Sequence, residues 1–152
     1  MNNQLILKFP SRQIYKKEDF YVSPSNQEAY DFVNSWPKWI KRIVNICGPS
    51  GSGKSHLTSI LKNKVSCLQI NSSDLDEKVF LKFKTKEAMI IENLNENFDK
   101  KLLFSLWNTA LQDNKYFLIT SKKPINLLKF KLEDLLSRAK SCLVISIKLP
   151  SD

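Results

Sequence analysis

The eight residues Gly48-Pro49-Ser50-Gly51-Ser52-Gly53-Lys54-Ser55 fit G-x-x-x-x-G-K-S without a mismatch and follow the apolar stretch Ile43-Val44-Asn45-Ile46-Cys47. A loop of this kind binds polyphosphate. Lacking a Cβ at three positions, its backbone can curl so that successive N–H groups point inward as an anion nest. Lys54 would reach the β- and γ-phosphates, and the Ser55 hydroxyl would face Mg²⁺. A helix opening at Ser55 and running on through His56 would add the positive end of its dipole. A bare Gly-Ser turn could also join a strand to a helix, but the chain has three glycines and all of them lie in this loop.

A magnesium ion held by phosphates also needs a carboxylate, which parallel-sheet nucleotidases take from the end of a neighbouring apolar strand. Met89-Ile90-Ile91-Glu92 offers one. Hard cations prefer oxygen ligands and keep part of their water, so Glu92 would act on the ion through water. Asn93 follows, where hydrolytic enzymes of this kind commonly carry a second acid. An amide orients water but cannot take its proton, and loss of a general base costs about 10²–10⁴ in rate. Slow hydrolysis is therefore expected even with binding intact. Glu96 is a carboxylate a few residues on, although no spacing places it at the site.

These groups need a scaffold, and five short apolar runs supply its strands: around Ile43–Cys47, Ser66–Ile70, Ala88–Glu92, Tyr116–Thr120 and Cys142–Ile147. Their alternation with helix-like segments predicts an α/β fold, a three-layer αβα sandwich on a five-stranded parallel sheet. Lys54–Lys64 carries Leu57, Ile60 and Leu61 at helical spacing. Lys100–Leu111 carries Leu102, Leu103, Leu106, Trp107 and Ala110 on one face. Ser25-Asn26 reads as the cap of a helix running to about Ser35, before Trp36-Pro37-Lys38-Trp39 forces a turn.

At 152 residues the chain suits one domain. Residues 1–12 read as an extended tail and 13–152 as a single nucleotide-binding core. The net charge of +9 suggests an acidic partner, yet only Arg12, Arg42 and Arg138 are arginines. Bidentate reading of bases and phosphates favours Arg. Lysines spread along the chain describe a solvated surface as well as they describe a nucleic-acid footprint, so direct sequence-specific DNA binding is not expected. Cys47, Cys67 and Cys142 each sit in an apolar run with no C-x-x-C pairing, and read as buried, reduced thiols. No stretch of about 18 apolar residues and no N-terminal apolar signal segment is present, which predicts a cytoplasmic protein without membrane contact.

Three segments together resemble the DnaA family of AAA+ ATPases. Glu18-Asp19-Phe20-Tyr21-Val22-Ser23-Pro24-Ser25-Asn26 is similar to that family's entry segment, and Gly48 to Leu57 to its Walker A motif. Leu132-Glu133-Asp134-Leu135-Leu136-Ser137-Arg138, the strand near Val144 and Pro150-Ser151-Asp152 are similar to the segment bearing its arginine finger. Within the family the chain is most similar to the short DnaA-related regulators of the Hda type, which lack the initiator's DNA-binding domain. The resemblance implies ATP or ADP with Mg²⁺, a DnaA-type replication initiator as partner, and the DNA polymerase sliding clamp as a second partner. A homo-oligomer is also open.

Residue by residue, the resemblance puts Gly53, Lys54 and Ser55 in the phosphate loop and makes Glu92 the Walker B acid. Thr120 or Ser121 falls at the polar sensor 1 position, and Arg138 at the finger, whose planar charge would stabilise a transferring phosphoryl group on a neighbouring subunit. Arg138 also lies four residues after Asp134, a spacing that would equally make a surface pair worth about 0.3–0.5 kcal/mol. Phe20, Tyr21 and Val22 match the stretch lining the base pocket, with packing against the first helix as the plainer use. Ser23 replaces a glycine usual there.

Gln4-Leu5-Ile6-Leu7-Lys8-Phe9 resembles the clamp-binding peptides of the Q-L-x-L-x-F type. In an extended tail Leu5, Leu7 and Phe9 project to one side toward an apolar groove, and the Gln4 amide meets its rim. An edge strand or a disordered end would look similar. Related ATPases continue beyond Pro150-Ser151-Asp152 into a helical lid, so the expectation is an AAA+ core without that lid, acting as a regulator with weak or no hydrolysis. Two other classes remain. A small P-loop kinase of nucleosides or metabolites would clamp phosphates with more arginines than three. A DnaA-like DNA-remodelling accessory protein would show strongly salt-dependent DNA binding.

Overall fold

The computed structural model describes residues 21–128, 137–139 and 141–148. Its sheet has the order β2-β3-β4-β1-β5, every pair parallel. The strands are β1 (Ile43–Cys47), β2 (Cys67–Asn71), β3 (Ala88–Leu94), β4 (Tyr116–Ser121) and β5 (Leu143–Ser146). The helices are α1 (Gln27–Asn34), α2 (Lys54–Lys62), α3 (Lys78–Lys84) and α4 (Lys100–Gln112). Strand β1 is buried along its whole length, as a parallel strand covered on both faces must be.

Side chains alternate between two cores with the strand period of two. Met89, Ile91, Phe117 and Ile119 meet α3 and α4 on one face, where Trp107 stands edge-on to Phe117 with ring centres 6.0 Å apart. Val44, Ile46, Ala88, Ile90 and Leu118 meet α1 and α2 on the other. The three layers predicted from the apolar runs are therefore present, with strand ends within two residues of expectation.

Helix α3 is not signalled by the sequence. Lys78-Val79-Phe80-Leu81-Lys82-Phe83-Lys84 is a short apolar run without a legible period, which suits strand or helix alike. Val79 and Phe83, one turn apart, bury on the core, and the helix end is closed from a distance. Lys115 Nζ donates to the carbonyls of Phe83 at 2.9 Å, Lys84 at 3.2 Å and Lys86 at 2.5 Å, a cation on the negative end of the dipole.

The cap expected at Asn26 works differently. Its side chain makes no bond to α1; Oδ1 accepts from Ser23 N at 3.0 Å and Nδ2 donates to Tyr21 O at 3.1 Å. Asn26 thus folds the entering segment rather than capping the helix. The cysteines also differ from expectation. Cys47 is buried, whereas Cys67 and Cys142 are half-buried because they lie at the margins of the sheet. Burial pushes the Cys142 thiol up to about 12 and raises that of Cys67, and both are free cysteines.

Asn45 is the one polar side chain facing inward from β1, and it is fully buried. Its amide donates to Ile119 O and Ser121 Oγ, both at 3.0 Å, and its Oδ1 accepts from Ile125 N at 2.8 Å. Every bond goes to β4 or the loop after it. One buried amide therefore fixes that loop against the sheet.

Candidate functional site

Strand β1 ends at Cys47, and the chain then curls from Gly48 to Gly53 before entering α2. Gly48 is held on both sides: its N–H donates to Ser121 O at 3.0 Å, and Ile147 N donates to Cys47 O at 2.7 Å just before it. A Cβ at Gly48 would stand 2.6 Å from Ile147 O, so only glycine fits between β4 and the chain leaving β5. Gly53, at φ +101°, turns the loop into α2.

No side chain caps α2, in contrast to α4, where the Asp99 carboxylate accepts from Leu102 N at 3.0 Å. The first N–H groups of α2 and the positive end of its dipole are therefore free for an anion. They open onto a cleft of about 420 Å³ lined by Ser50, Gly51, Gly53, Lys54, Ser55, His56, Asn93 and Lys122. Among the described residues two lysines and no carboxylate stand in that lining. Lys54 Nζ donates to Gly48 O and, at 3.0 Å, to Pro49 O. Its pKa is lowered chiefly by burial, with Lys122 adding to the effect and Cys47 opposing it. A bound polyphosphate would offset both lowering causes.

Ser55 is exposed at the start of α2, whereas Ser52 in the loop and His56 in the helix are buried. Glu92 is half-buried at the end of β3. Thr58, one turn along α2 from Ser55, places its hydroxyl 2.7 Å from Glu92 Oε1 and 2.9 Å from Ser55 O. The carboxylate is thereby tied to the first turns of α2, close to Ser55. A hydroxyl and a carboxylate suit Mg²⁺, a hard cation that takes oxygen ligands. Among the described residues no group of three His, Cys, Asp or Glu could hold a metal by itself, so phosphate oxygens would have to supply the remaining ligands.

Immediately after Glu92 the sheet register slips: Ile91 faces Ile119 but Leu94 faces Ser121, which leaves one extra residue on β3. Asn93 takes up the bulge at φ +61°, a left-handed conformation that asparagine tolerates better than most residues. Its N–H donates to Thr120 Oγ1 at 3.1 Å, and its carbonyl accepts from Ser72 Oγ at 2.8 Å. Thr120 is thus buried beside Asn93, at the strand end expected of a polar sensor. Asn93 and Lys122 also line a larger adjoining cleft of about 730 Å³, with Leu94, Asn95, Glu96, Asn97, Lys123, Leu127 and Leu128.

Other expected site residues stand apart from this cleft. Tyr21 is exposed and Val22 half-buried. Their segment reaches the phosphate loop through the chain after β5: Lys148 N donates to Ser25 O at 3.3 Å, and its neighbour Ile147 packs on Gly48. Arg138 is half-buried against α4: Nη2 donates to Asn108 Oδ1 at 3.0 Å and the guanidinium lies 5.8 Å from the Phe104 ring centre. Among the described residues its buried Nε has no hydrogen-bond partner. Phe20, the tail residues Gln4, Leu5, Leu7 and Phe9, the segment Leu132–Leu136 with Asp134, and Pro150–Asp152 lie outside the described residues. Lys122, Thr58 and Asn45 were not picked out from the sequence. Lys122-Lys123 follows an apolar strand aligned with the phosphate loop, which is the signal that could have found it.

The phosphate loop after the inner strand β1, the acid near the end of β3 and the polar end of β4, on a 2-3-4-1-5 parallel sheet, decide the architecture. The chain has the P-loop AAA+ fold. No protein-family model matches it, and no match is found among curated protein sequences. Solved AAA+ structures do match. AMPPCP-bound DnaA from Aquifex aeolicus has a TM-score of 0.76 at 18% identity, over 90% of this chain and 50% of that one. Domain III of the Thermotoga maritima replication initiation protein DnaA gives 0.69 at 20% identity, over 90% and 68%. DnaI gives 0.70 at 12% identity, over 91% and 89%. The chain spans about half the length of the DnaA chain from Aquifex aeolicus. Among the described residues no helix is long and apolar enough to cross a membrane.

Proposed function

We propose that this chain is an adenine-nucleotide-binding regulator of DNA replication initiation, related to DnaA and to the short Hda-type proteins. The observation that carries this reading is the uncapped start of α2 behind Lys54, flanked by Glu92 and Thr120 on an AAA+ sheet. ATP or ADP sits with its phosphates on Gly48–Ser55 and its base toward the Phe20–Val22 segment. Ser55 and, through water, Glu92 would hold Mg²⁺.

In the same reading the protein is an adaptor more than a hydrolase. Asn93 cannot accept a proton from attacking water, so turnover by the chain alone is slow. Arg138 serves the ATP of a DnaA-type initiator, and residues Gln4 to Phe9 dock on the sliding clamp. Base-specific DNA contact has no part in it.

Calorimetric titration of the full chain with ATP and ADP in the presence of Mg²⁺, beside Lys54→Ala, tests the binding claim. Micromolar binding lost in the variant is expected; absence of binding in the unaltered chain overturns the claim. Single-turnover hydrolysis by Asn93→Asp should exceed that of the unaltered chain by about 10² or more. An unaltered chain already hydrolysing rapidly would sink the adaptor reading. A pull-down on the sliding clamp should fail for the Leu7→Ala/Phe9→Ala double variant, and its retention would remove the tail from the proposal.

A further inference from the structure

All five strands are parallel, so every segment that leads from a helix into a strand comes to one end of the sheet, opposite the phosphate loop. A five-residue strand such as β1 spans about 17 Å, about two Debye lengths at physiological salt, so charges at one end are screened from the other. The two ends are charged differently. The last helical turns and loops that lead into β1 to β4, residues 31–42, 59–66, 81–87 and 109–115, hold nine cations and three carboxylates. The corresponding segments at the phosphate-loop end, residues 48–57, 72–81, 92–103 and 122–128, hold six of each. Lysines spread along the chain are thus gathered by the fold.

Three of the nine cations serve the fold itself: Lys115 closes α3, Lys41 Nζ donates to Ser141 O at 2.7 Å and Arg42 Nη1 donates to Asn114 O at 2.8 Å. The ammonium groups of the other six, Lys38, Lys62, Lys64, Lys82, Lys84 and Lys86, have no hydrogen-bond or ion-pair partner among the described residues. Five of these bracket the start of the edge strand β2. Lys62 and Lys64 come from the end of α2 on one face of the sheet, and Lys82, Lys84 and Lys86 from the end of α3 on the other. Burial raises the pKa of Cys67, the first residue of β2, and the charges of Lys62 and Lys86 oppose that rise from the two sides. The turns that present them are fixed: Lys64 N donates to Leu61 O at 2.9 Å, Lys86 N to Phe83 O at 3.0 Å, and Glu87 N to Ser66 O at 3.0 Å joins the two turns.

The chemistry of this end selects its partner. Lysine is a compact point charge that meets backbone phosphate without reading bases. A single strand would want exposed aromatic faces for its bases, but Trp36 and Trp39 pack edge-on to Tyr116, and Arg42 lies 4.7 Å from the Tyr116 ring centre. A lipid surface would want an apolar stripe beside the charge, whereas the exposed large hydrophobic side chains in these segments, Ile40, Leu81 and Leu111, come from three separate elements. We propose that the strand-entry end of the sheet, centred on the start of β2, is a docking surface for the phosphate backbone of duplex DNA, bound without regard to base sequence. It lies at the far end of the sheet from the nucleotide cleft and does not depend on nucleotide binding.

The test is fluorescence anisotropy of a labelled mixed-sequence duplex titrated with the full chain, without nucleotide, over a series of salt concentrations. Lys64→Gln/Lys84→Gln is compared with Lys101→Gln/Lys123→Gln, which removes the same charge from the other end; all four side chains are exposed, and thermal unfolding checks that both variants fold. The first pair should weaken binding about tenfold at low salt and make the salt slope shallower by about 2, equally for a second duplex of unrelated sequence. The second pair should leave the slope as it is in the unaltered chain. Equal weakening by both pairs would reduce the binding to net charge and overturn the surface. Absence of duplex binding by the unaltered chain at low salt overturns it too, as does tighter binding of the corresponding single strand. Capture by phosphatidylserine vesicles that depends on Lys64 and Lys84, without duplex binding, would give the surface to lipid and overturn the DNA assignment. With no nucleotide in the assay, each of these outcomes is separate from the ATP and ADP titrations above.

Discussion

Gly48→Ala is the substitution whose consequence the structure determines most directly. The added methyl would lie 2.6 Å from Ile147 O, 2.9 Å from Ser52 Oγ and 3.2 Å from Ile147 Cβ. Carbon–oxygen contacts settle at about 3.3–3.6 Å, so the carbonyl would have to retreat by about 0.7 Å. That obstacle is backbone, and it is not free to move: Ile147 N donates to Cys47 O, while Gly48 N is bonded to Ser121 O on the other side. Overpacking costs about 1–3 kcal/mol, and a backbone obstacle tied at both sides belongs near the top of that range. For a chain of this size each kcal/mol lowers Tm by about 2–4 °C, so a fall of about 4–12 °C is expected. Gly51→Ala is the control. Nothing lies within 4 Å of its added methyl, and only the left-handed φ of +81° penalises it, by about 1 kcal/mol. Thermal unfolding followed by circular dichroism reads both variants. The reasoning is refuted if Gly48→Ala melts within about 2 °C of the unaltered chain, or no lower than Gly51→Ala.

Asn45→Ala removes three buried hydrogen bonds and leaves Ile119 O, Ser121 Oγ and Ile125 N short of a partner, so urea unfolding should show a loss of about 3 kcal/mol or more; a loss below about 1 kcal/mol would mean that the amide does not brace the loop. Cys142 stays protonated to about 12 in the folded chain against an ordinary 9.0, so the unfolded state holds fewer protons between those values and stability falls as pH rises through them. The fall attributable to this thiol approaches about 1.4 kcal/mol per pH unit, and Cys142→Ala should flatten the urea midpoint's decline between pH 9 and pH 11 relative to the unaltered chain; identical slopes would contradict the assigned burial.

The sequence carried the sheet because parallel strands bury both faces and so read as continuous apolar runs, as Ile43–Cys47 and Ala88–Ile91 do. It carried the phosphate loop because every glycine of the chain is there. What it did not carry depends on contacts distant along the chain. Lys115 closes α3 from some thirty residues away, and without that partner Lys78–Lys84 has no helix signature of its own. Asn45 reads as a polar break in an apolar strand until Ile125 and Ser121 are seen to need it. The site was legible as a set of residue types, Lys54, Ser55, Glu92 and Thr120, but not as geometry. The bulge at Asn93, the Thr58 tie on Glu92 and the place of Lys122 all follow from how β3 and β4 end beside the loop.

Glu92 and Asn93 are adjacent in sequence yet tethered in opposite directions. Glu92 is bonded to Thr58 on α2, whereas Asn93 is bonded through its backbone to Thr120 on β4 and Ser72 after β2. The bulge between them requires φ near +61° at residue 93, which costs an ordinary side chain about 1–2 kcal/mol and spares glycine, asparagine and aspartate. Backbone conformation therefore narrows the choice at this position without deciding between amide and carboxylate. Both anchoring bonds use main-chain atoms, so Asp would keep them, fit the same space and add a base. The amide is thus not imposed by the fold. In the function proposed above, its presence would limit proton transfer and leave the binding geometry intact, the combination that a nucleotide-dependent adaptor needs and an efficient hydrolase does not.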